Sequence, residues 1–300
     1  MWRNKRRFIT EVKRREKLSI FDYTELSQEL PFCPIEFVKD SNFYGYAYSI
    51  KKCVGIDKLN KGCSIEHGLY YEDNYIPSAS YSKTIKTIVT LSDIRKEIIE
   101  RNVKKEAIPI GPYIHYAESL LSVEEIDEIK KKYGRILLFF PSHGSVEGND
   151  SYDVQIMINK LQDIRNKYSF DTVFVNMFYY DVLYSHYVEI YKKAGFVITT
   201  AGHRYDLNFI ARLKSIIELS DMVVSNAVGT NIGYSIYMKK PTAILDEANY
   251  EKGSMVAEVS SALQNISEII LPEQYEVVSK YWGFNCVKTP EELKMLFGKF

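Results

Sequence analysis

One short segment carries the residue types that acid–base chemistry needs. Residues 65–73 place Glu66, His67 and Gly68 together, with Asp73 shortly after them. The unperturbed pKa of an imidazole lies near neutrality, so a histidine at the end of a strand can serve as a general base. We predict that His67 has this role. Glu66 or Asp73 could instead orient its ring or act as the base, and both alternatives stay open.

Three further segments predict the binding of an anion such as a phosphate group. Residues 225–241 contain a helix start, whose free backbone N–H groups and positive dipole end attract anions. Residues 141–149 offer hydroxyls, an imidazole and glycines that permit close backbone approach. Residues 201–206 add a histidine and an arginine that could contact a phosphate or a sugar carboxylate. The predicted binding residues are Ser142, His143, Gly144, Ser145, His203, Arg204, Ser225, Asn226, Gly229, Thr230, Asn231, Gly233 and Tyr234.

Each binding segment also has a purely structural interpretation. Residues 141–149 could be an ordinary strand-to-helix turn, and Arg204 could pair with a carboxylate of a neighbouring helix. The small residues near Gly233 could serve a close contact between a helix and the sheet. These alternatives make different predictions about where the side chains lie.

The elements that must position these residues are most regular in the second half of the chain. Continuous apolar runs alternate there with helical patterns, which indicates strands buried on both faces of a parallel sheet. Such alternation predicts a doubly wound α/β domain. Ligands bind these sheets at the carboxyl ends of the strands, where all three binding segments begin. The predicted strands are 135–141, 172–178, 196–201, 222–226, 242–245 and 268–271, and the predicted helices between them are 153–167, 181–194, 206–219, 230–239 and 254–265.

The first half is less regular but fits a second, smaller α/β unit. A span at 106–122 contains Pro109, Gly111 and Pro112, which is typical of a turn or linker. We therefore predict a basic helix at 1–17, one α/β domain at 18–115 and another at 116–300. The predicted strands of the first half are 33–39, 62–71 and 84–92, and its predicted helices are 41–52 and 92–104.

Charge and composition exclude several classes of protein. Lysine plus arginine equals aspartate plus glutamate, 39 each, so a chain-wide basic surface for nucleic acid is not expected. No run approaches the roughly 18–20 apolar residues that a membrane-spanning helix needs, and the start of the chain lacks the apolar core of a signal peptide. We predict a cytoplasmic protein. Neither a histidine–glutamate helix nor a cysteine cluster offers metal ligands, so no metal site is predicted.

Residues 1–17 are an exception to the overall neutrality. They contain eight basic and two acidic residues, a net charge of +6, and Trp2, Phe8, Ile9 and Val12 could form an apolar side. A basic amphipathic helix of this kind could lie on an anionic membrane surface. A solvated or frayed terminal helix is the alternative.

These features together resemble a known family. Two α/β halves, a proline-marked hinge and the stretch SD…SN…GT.IGY…KKP at 220–241 are similar to glycosyltransferases of the GT-B class. The similarity is greatest to cytoplasmic enzymes of bacterial capsule, lipopolysaccharide or teichoic-acid assembly. It implies two Rossmann-like domains, the second holding the nucleotide of an activated sugar and the first holding the acceptor.

The resemblance also assigns roles to the candidate residues. It places all the predicted binding residues in the donor site, and Glu66, Gly68 and Asp73 beside the acceptor. His67 matches a His-Gly element at the end of the acceptor-side strand in related polymerising transferases. The acidic residue that usually binds the donor sugar is missing between Tyr234 and Pro241, and Asp246 and Glu247 are its nearest substitutes.

The expected activity is a metal-independent and inverting transfer of a sugar from a nucleotide-sugar to a glycan or lipid-linked acceptor, with no further cofactor. Three alternatives stay open. One is the transfer of an alditol phosphate from a cytidine nucleotide. The others are a nucleotide-sugar epimerase and a non-catalytic partner that binds a sugar or a nucleotide.

Overall fold

Two separate parallel sheets organise the chain, in a computed structural model that describes residues 2–70, 75–142, 152–245 and 250–298. The first sheet has the order β1-β2-β3, and the second has the order β6-β5-β4-β7-β8. Every strand pair is parallel. The strands are β1 (Cys63–Ile65), β2 (Thr87–Thr90), β3 (Glu106–Pro109), β4 (Ile136–Phe140), β5 (Thr172–Asn176), β6 (Val197–Thr199), β7 (Met222–Ser225) and β8 (Thr242–Ile244).

Helices cover both faces of the second sheet, which confirms the doubly wound prediction. Leu137 and Phe139 of β4 belong to one buried cluster, whereas Ile136 and Leu138 belong to another. Successive side chains of a strand point to opposite faces, so a strand covered on both sides must be apolar throughout. The helices are α1 (Trp2–Glu16), α2 (Tyr23–Ser27), α3 (Tyr46–Val54), α4 (Asp93–Val103), α5 (Val123–Tyr133), α6 (Val154–Lys167), α7 (Tyr179–Tyr184), α8 (Tyr187–Lys193), α9 (Phe209–Leu219), α10 (Thr230–Tyr237), α11 (Met255–Leu263), α12 (Pro272–Trp282) and α13 (Pro290–Gly298).

The strand order of the second sheet reverses between β4 and β7. From β4 the chain adds β5 and β6 on one side, and then returns to add β7 and β8 on the other. The loops that follow β4 and β7 consequently leave the sheet edge in different directions and open a crevice between them. This crevice faces the carboxyl end of the first sheet.

The start of the chain packs against the half that contains the second sheet, and the end of the chain packs against the half that contains the first sheet. Arg15, at the end of α1, is buried and donates to the carbonyl oxygens of Leu26 and Glu29, each at 3.1 Å. Arg212 of α9 in turn donates to the carbonyl oxygen of Arg15 at 3.1 Å, so residues near the start pack on the second sheet's half. At the other end α12 contacts α4 and α13 contacts α3, on the first sheet's half. The boundary predicted at 115/116 stays a prediction.

Three elements predicted from the sequence are wrong. Residues 33–39 and 268–271 are not strands, although both are short apolar runs. The helix predicted at 181–194 is broken between α7 and α8. The span 106–122, predicted as a linker, begins with β3, an edge strand that ends at Pro109. A proline at the end of an edge strand removes no hydrogen bond that the sheet requires, so it did not exclude a strand there.

The apolar side of α1 lies against the protein. Phe8 and Val12 are buried in a cluster with Leu30, Cys33 and Leu207. Ile9 packs at the edge of this cluster, so these residues are not free to enter a lipid surface. No helix in the described ranges combines the length and the hydropathy needed to cross a membrane.

Candidate functional site

A cavity of about 440 Å³ lies between the two sheets, at the crevice described above. We call its two sides the first wall and the second wall. The first wall is formed by Tyr44, Tyr46 and the residues His67 to Tyr70, which follow β1. The second wall is formed by residues at the carboxyl ends of the second sheet, namely Phe140, Pro141, Ser142, Asn176, Met177, Phe178, Ala201, Ser225, Ala227, Val228, Gly229, Thr230 and Asn231, with Phe209, Leu213 and Tyr234 behind them.

His67 lies in the first wall, as predicted, and its side chain is 36% exposed. Its Nδ1 atom is 2.9 Å from the hydroxyl of Tyr70 and 3.7 Å from Oδ2 of Asp40. The ring also packs edge-on against Phe43, with 5.1 Å between ring centroids. The Tyr70 hydroxyl can donate to or accept from Nδ1, and the tautomer with its proton on Nδ1 leaves the lone pair of Nε2 available.

Glu66 does not face the cavity, which corrects its predicted place beside the acceptor. Its buried carboxylate accepts from Nη2 of Arg95 at 2.6 Å and from Oγ1 of Thr90 at 2.7 Å. Adjacent residues of an extended chain point in opposite directions, so Glu66 points inward where His67 points out. Within the part of the chain that the structure describes, the carboxylate that approaches the His67 ring is that of Asp40, which sequence reasoning missed because it lies 27 residues earlier in a 3₁₀ turn.

Several predicted site residues lie outside the described residues. These are Asp73 on the acceptor side, and His143, Gly144 and Ser145 in the loop after β4. Asp246 and Glu247, the substitutes for a sugar-binding acid, also lie outside them. Their roles stay predictions.

Ser142 and Asn226 join the two loops at the point where the strand order reverses. The backbone N–H of Ser142 donates to Oδ1 of Asn226 at 2.6 Å, and Nδ2 of Asn226 donates to the Ser142 hydroxyl at 3.0 Å. The hydroxyl of Ser225 donates to the carbonyl oxygen of Phe140 at 2.9 Å. These side chains therefore fix the edges of the crevice, and Ser142 and Ser225 also line it.

The start of α10 faces the cavity, as predicted. Gly229 is its N-cap residue and makes no side-chain capping bond, so the cap leaves the first-turn N–H groups without a side-chain acceptor. Asn231 lines the same region, and its Nδ2 atom is buried with no hydrogen-bond partner among the described residues. Unused donors at a helix N-terminus are suited to bind an anion.

Thr230 connects the two walls. Its Oγ1 accepts from the backbone N–H of Leu69 at 3.1 Å. Gly68 lies directly opposite with φ +153°, and a Cβ atom there would come within 2.9 Å of the Thr230 hydroxyl. Glycine at 68 therefore permits the close approach of the first wall to α10, and its predicted place beside an acceptor stays a prediction.

Gly233 has a structural role and does not line the cavity, which corrects its predicted place in the donor site, whereas Tyr234 lines the cavity and its donor-site role stays a prediction. A Cβ atom on Gly233 would lie 2.1 Å from the ring of Trp282, so glycine permits α12 to pack on α10. Nε1 of Trp282 also donates to the carbonyl oxygen of Thr230 at 3.0 Å. Tyr234 is fully buried behind the second wall, and this burial, with Tyr46 beside it, raises the pKa of its hydroxyl well above the ordinary value.

His203 and Arg204 lie near the cavity but do not line it, which corrects their predicted place in the donor site. His203 is buried against Tyr179, and its Nε2 is 3.6 Å from a carboxylate oxygen of the exposed Glu29. Burial, together with the nearby charges of Arg15 and Arg204, lowers the pKa of His203 to about 4. His203 is therefore neutral at pH 7 and is not a cationic phosphate ligand. Arg204 is partly exposed among aromatic rings.

Sequence reasoning missed the aromatic part of the site. Tyr44 has φ +56° and Gly45 has φ +67°, and a Cβ atom at Gly45 would lie 2.1 Å from the carbonyl oxygen of Leu207. The backbone N–H of Tyr44 donates to the carbonyl oxygen of Arg204 at 2.7 Å. A non-glycine residue in this conformation costs free energy, and such residues are frequent at functional sites. The sequence signal was the Tyr-Gly-Tyr run at 44–46.

Within the described parts of the chain, no group of three or more histidine, cysteine, aspartate or glutamate side chains could hold a metal ion. Metal independence of the reaction stays a prediction, because it concerns activity rather than geometry.

Comparisons with known proteins agree with this architecture. No family model and no curated protein matches the chain in sequence. A solved structure of the wall teichoic acid polymerase TagF, a variant soaked with CDPG, aligns with a TM-score of 0.51 at 11% identity, over 100% of this chain and 98% of that one. The fold is of the GT-B type. The UDP-GlcNAc 2-epimerase from Methanocaldococcus jannaschii aligns with a TM-score of 0.45 at 12% identity, over 85% of this chain and 74% of that one.

The resemblance inferred from the sequence is thus confirmed for the fold. At these identities the likeness concerns architecture and not activity.

Proposed function

We propose that the protein is a transferase that moves a sugar from a nucleotide-linked donor to the hydroxyl of a glycan or lipid-linked acceptor. One observation carries this proposal: the imidazole of His67 and the start of α10 line the same cavity. The hydrogen bond between Leu69 and Thr230 holds the two walls together there. Such a transfer requires a base that accepts the proton of the acceptor hydroxyl and a site that binds the anionic leaving group, both in one cavity.

The roles follow from the chemistry of the two walls. Nε2 of His67 accepts the proton of the acceptor hydroxyl while its oxygen forms a bond to the anomeric carbon. The bond from that carbon to the phosphate oxygen breaks, and the nucleoside diphosphate leaves with the bonding electrons. Donors at the start of α10 stabilise the charge that develops on the leaving group. Attack from the face opposite the leaving group inverts the anomeric centre.

A second candidate keeps the same walls and changes the group transferred. The fold aligns over nearly the whole length of a teichoic acid polymerase whose structure was obtained with CDPG. In this reaction the acceptor oxygen would attack the phosphorus atom next to an alditol, and the nucleoside monophosphate would leave. His67 and α10 would keep their roles.

A thermal-shift experiment with UDP-, GDP-, CMP- and CDP-linked compounds tests the proposal. A ligand that binds the native state raises the melting temperature by mass action. We expect one nucleotide class to raise it in the wild type, and less in Thr230→Ala. The control is Thr10→Ala, on an exposed position of α1, which should match the wild type. No shift with any compound would contradict the proposed function.

Metal independence is tested directly on turnover. We expect activity to survive EDTA, because the start of α10 would take the place of a divalent ion at the leaving group. Loss of turnover in EDTA, restored by magnesium or manganese, would contradict this part of the proposal.

Contact with an anionic membrane surface at the cytoplasmic face is the last part of the proposal. Arg3, Lys5, Arg6, Arg7 and Lys13 are exposed on α1, whereas Arg14 pairs with Glu11 and Glu25. The buried Phe8 leaves charge as the main attraction, at about 1 kcal/mol for each basic residue near the surface. Replacing the five exposed residues by glutamine should abolish binding to anionic liposomes. Equal binding by both proteins would contradict the contact.

A further inference from the structure

Arg204, which is half-buried, differs in its partners from the three buried arginines of the described residues. Arg15, Arg95 and Arg212 are buried, and each pairs with a carboxylate, that of Glu11, Glu66 and Asp206 respectively. Among the described residues no carboxylate lies within 4 Å of the Arg204 guanidinium, and its Nε atom is buried without a hydrogen-bond partner. The cation is therefore partly removed from water, and no carboxylate of the described residues serves as its counter-charge.

Aromatic rings hold this guanidinium in place. Its central carbon lies 5.3 Å from the ring centroid of Tyr205, 5.7 Å from that of Phe43 and 5.9 Å from that of Tyr179. Tyr205 stacks between Phe32, at 3.9 Å, and Phe43, at 5.2 Å. Ring faces attract a cation without neutralising it, so the Nη donors of the guanidinium stay available for another group.

The aromatic rings around Arg204 lie next to the part of the first wall that contains His67. Phe43 contacts Arg204 on one side and the ring of His67 on the other. Tyr44 and Phe178, which line the cavity, are the neighbours of Phe43 and Tyr179 in the chain. The start of α10 lies beyond β4 in the sheet, on the side of β7, whereas Arg204 follows β6 at the opposite edge. A group bound at Arg204 would thus approach His67 from the side away from the leaving group.

We propose that Arg204 binds an anionic group, a phosphate ester or a carboxylate, on the acceptor whose hydroxyl His67 activates. This inference rests on the proposed function and specifies the acceptor as a charged glycan or polyol. A guanidinium binds both kinds of anion with two parallel N–H bonds, so the shared chemistry is recognition of a planar or tetrahedral oxyanion. The neighbouring rings supply faces on which a sugar ring can pack.

Titration calorimetry with small probes tests the assignment. The probes are glycerol 3-phosphate and glucuronate, with glycerol and glucose as their uncharged counterparts. We expect the wild type to bind the anions in preference to the neutral compounds. Arg204→Gln should weaken anion binding about tenfold to hundredfold, the range expected for loss of a charged hydrogen-bonding group. Arg204→Lys should retain part of the affinity, since lysine keeps the charge without the fork.

Two controls separate this inference from the proposed function. Arg101→Gln removes an exposed arginine of α4 and should leave anion binding unchanged. Nucleotide binding, measured on the same variants, should not change in Arg204→Gln. Equal anion binding by the wild type and Arg204→Gln would overturn the inference. A loss of nucleotide affinity in Arg204→Gln would also overturn it, because it would place Arg204 in the donor site while leaving the proposed function intact.

Discussion

The two walls of the cavity use different parts of the chain to present polar groups. The first wall presents titratable and aromatic side chains, with His67 supported by Tyr70 and Asp40. The second wall presents backbone N–H groups and short polar side chains, such as those around Gly229 and Asn231. Titratable groups move protons and backbone donors hold charge, so under the proposed function the first wall carries the chemistry and the second wall binds the anion.

A substitution of His67 tests this division with the largest expected effect. His67→Asn keeps much of the side-chain shape but removes the titrating group. Turnover with saturating substrates should fall by about 10²–10⁴-fold, the usual contribution of a positioned general base. Nucleotide affinity by calorimetry should stay at the wild-type value, because the anion belongs to the other wall.

The companion variant is His67→Ala, which should be as inactive as His67→Asn and as stable as that variant. Near-normal turnover in His67→Asn would remove the assignment of the base to the first wall. A parallel loss of nucleotide affinity would remove the division between the walls.

Glu66, the residue next to His67 in the chain, should affect the free energy of unfolding. Glu66→Gln leaves the buried Arg95 cation without its counter-charge, which typically costs about 3–5 kcal/mol of unfolding free energy. The control is Glu268→Gln, which breaks the equally short but exposed pair with Arg135 and should cost about 0–1 kcal/mol. Urea unfolding measures both. Similar losses in the two variants would contradict the structural role of Glu66.

His203, in the half that contains the second sheet, should contribute to the pH dependence of the free energy of unfolding. The pKa of His203 is lowered to about 4 by burial and two nearby arginines, whereas in the unfolded chain it is near 6.5. Below pH 6.5 the unfolded state binds a proton that the folded state does not, so stability is lost as the pH falls from 6.5 toward 4. This contribution reaches about 3 kcal/mol at most.

The measurement is urea unfolding at pH 7, 5.5 and 4 for the wild type and His203→Gln. The wild type should lose stability more steeply than the variant over this range. Parallel profiles of the two proteins would show that His203 is not held neutral by the fold.

The smallest effect on binding is expected for substitution of Thr230, the residue that connects the two walls. Thr230→Ala removes the hydroxyl that accepts from Leu69, a hydrogen bond worth about 0.5–1.5 kcal/mol. Nucleotide affinity should fall by a corresponding two- to tenfold, and Thr230→Ser should restore it. If Thr230→Ser binds as weakly as Thr230→Ala, the methyl group and not the hydroxyl would be the important part.

Elements that are specified by a short stretch of their own residues were predictable from the sequence. The five strands of the second sheet follow from their continuous apolar runs, since each is covered on both faces. The start of α10 follows from its glycine and polar residues. The segment 33–39 has the same apolar character and is not a strand, because nothing in a short run specifies a partner strand.

Roles that depend on distant partners were not predictable. Gly233 leaves space for the ring of Trp282, which lies 49 residues later in the chain. Asp40, which approaches His67, lies 27 residues before it. Glu66 and His67 are adjacent and polar, and only the direction of the strand decides that one is buried and the other is not. Such assignments require the tertiary contacts, which spacing along the chain does not encode.

The packing of the chain ends on opposite halves has a consequence for how the protein is made. The first sheet and its loops leave the ribosome long before α12 and α13, the helices that cover part of this half. Until residues 272–298 are synthesised, Trp282 cannot pack against Gly233 or donate to Thr230. Contacts between residues so far apart in sequence form late and slow folding. The start of α10 should therefore be among the last parts of the nascent chain to reach its final geometry.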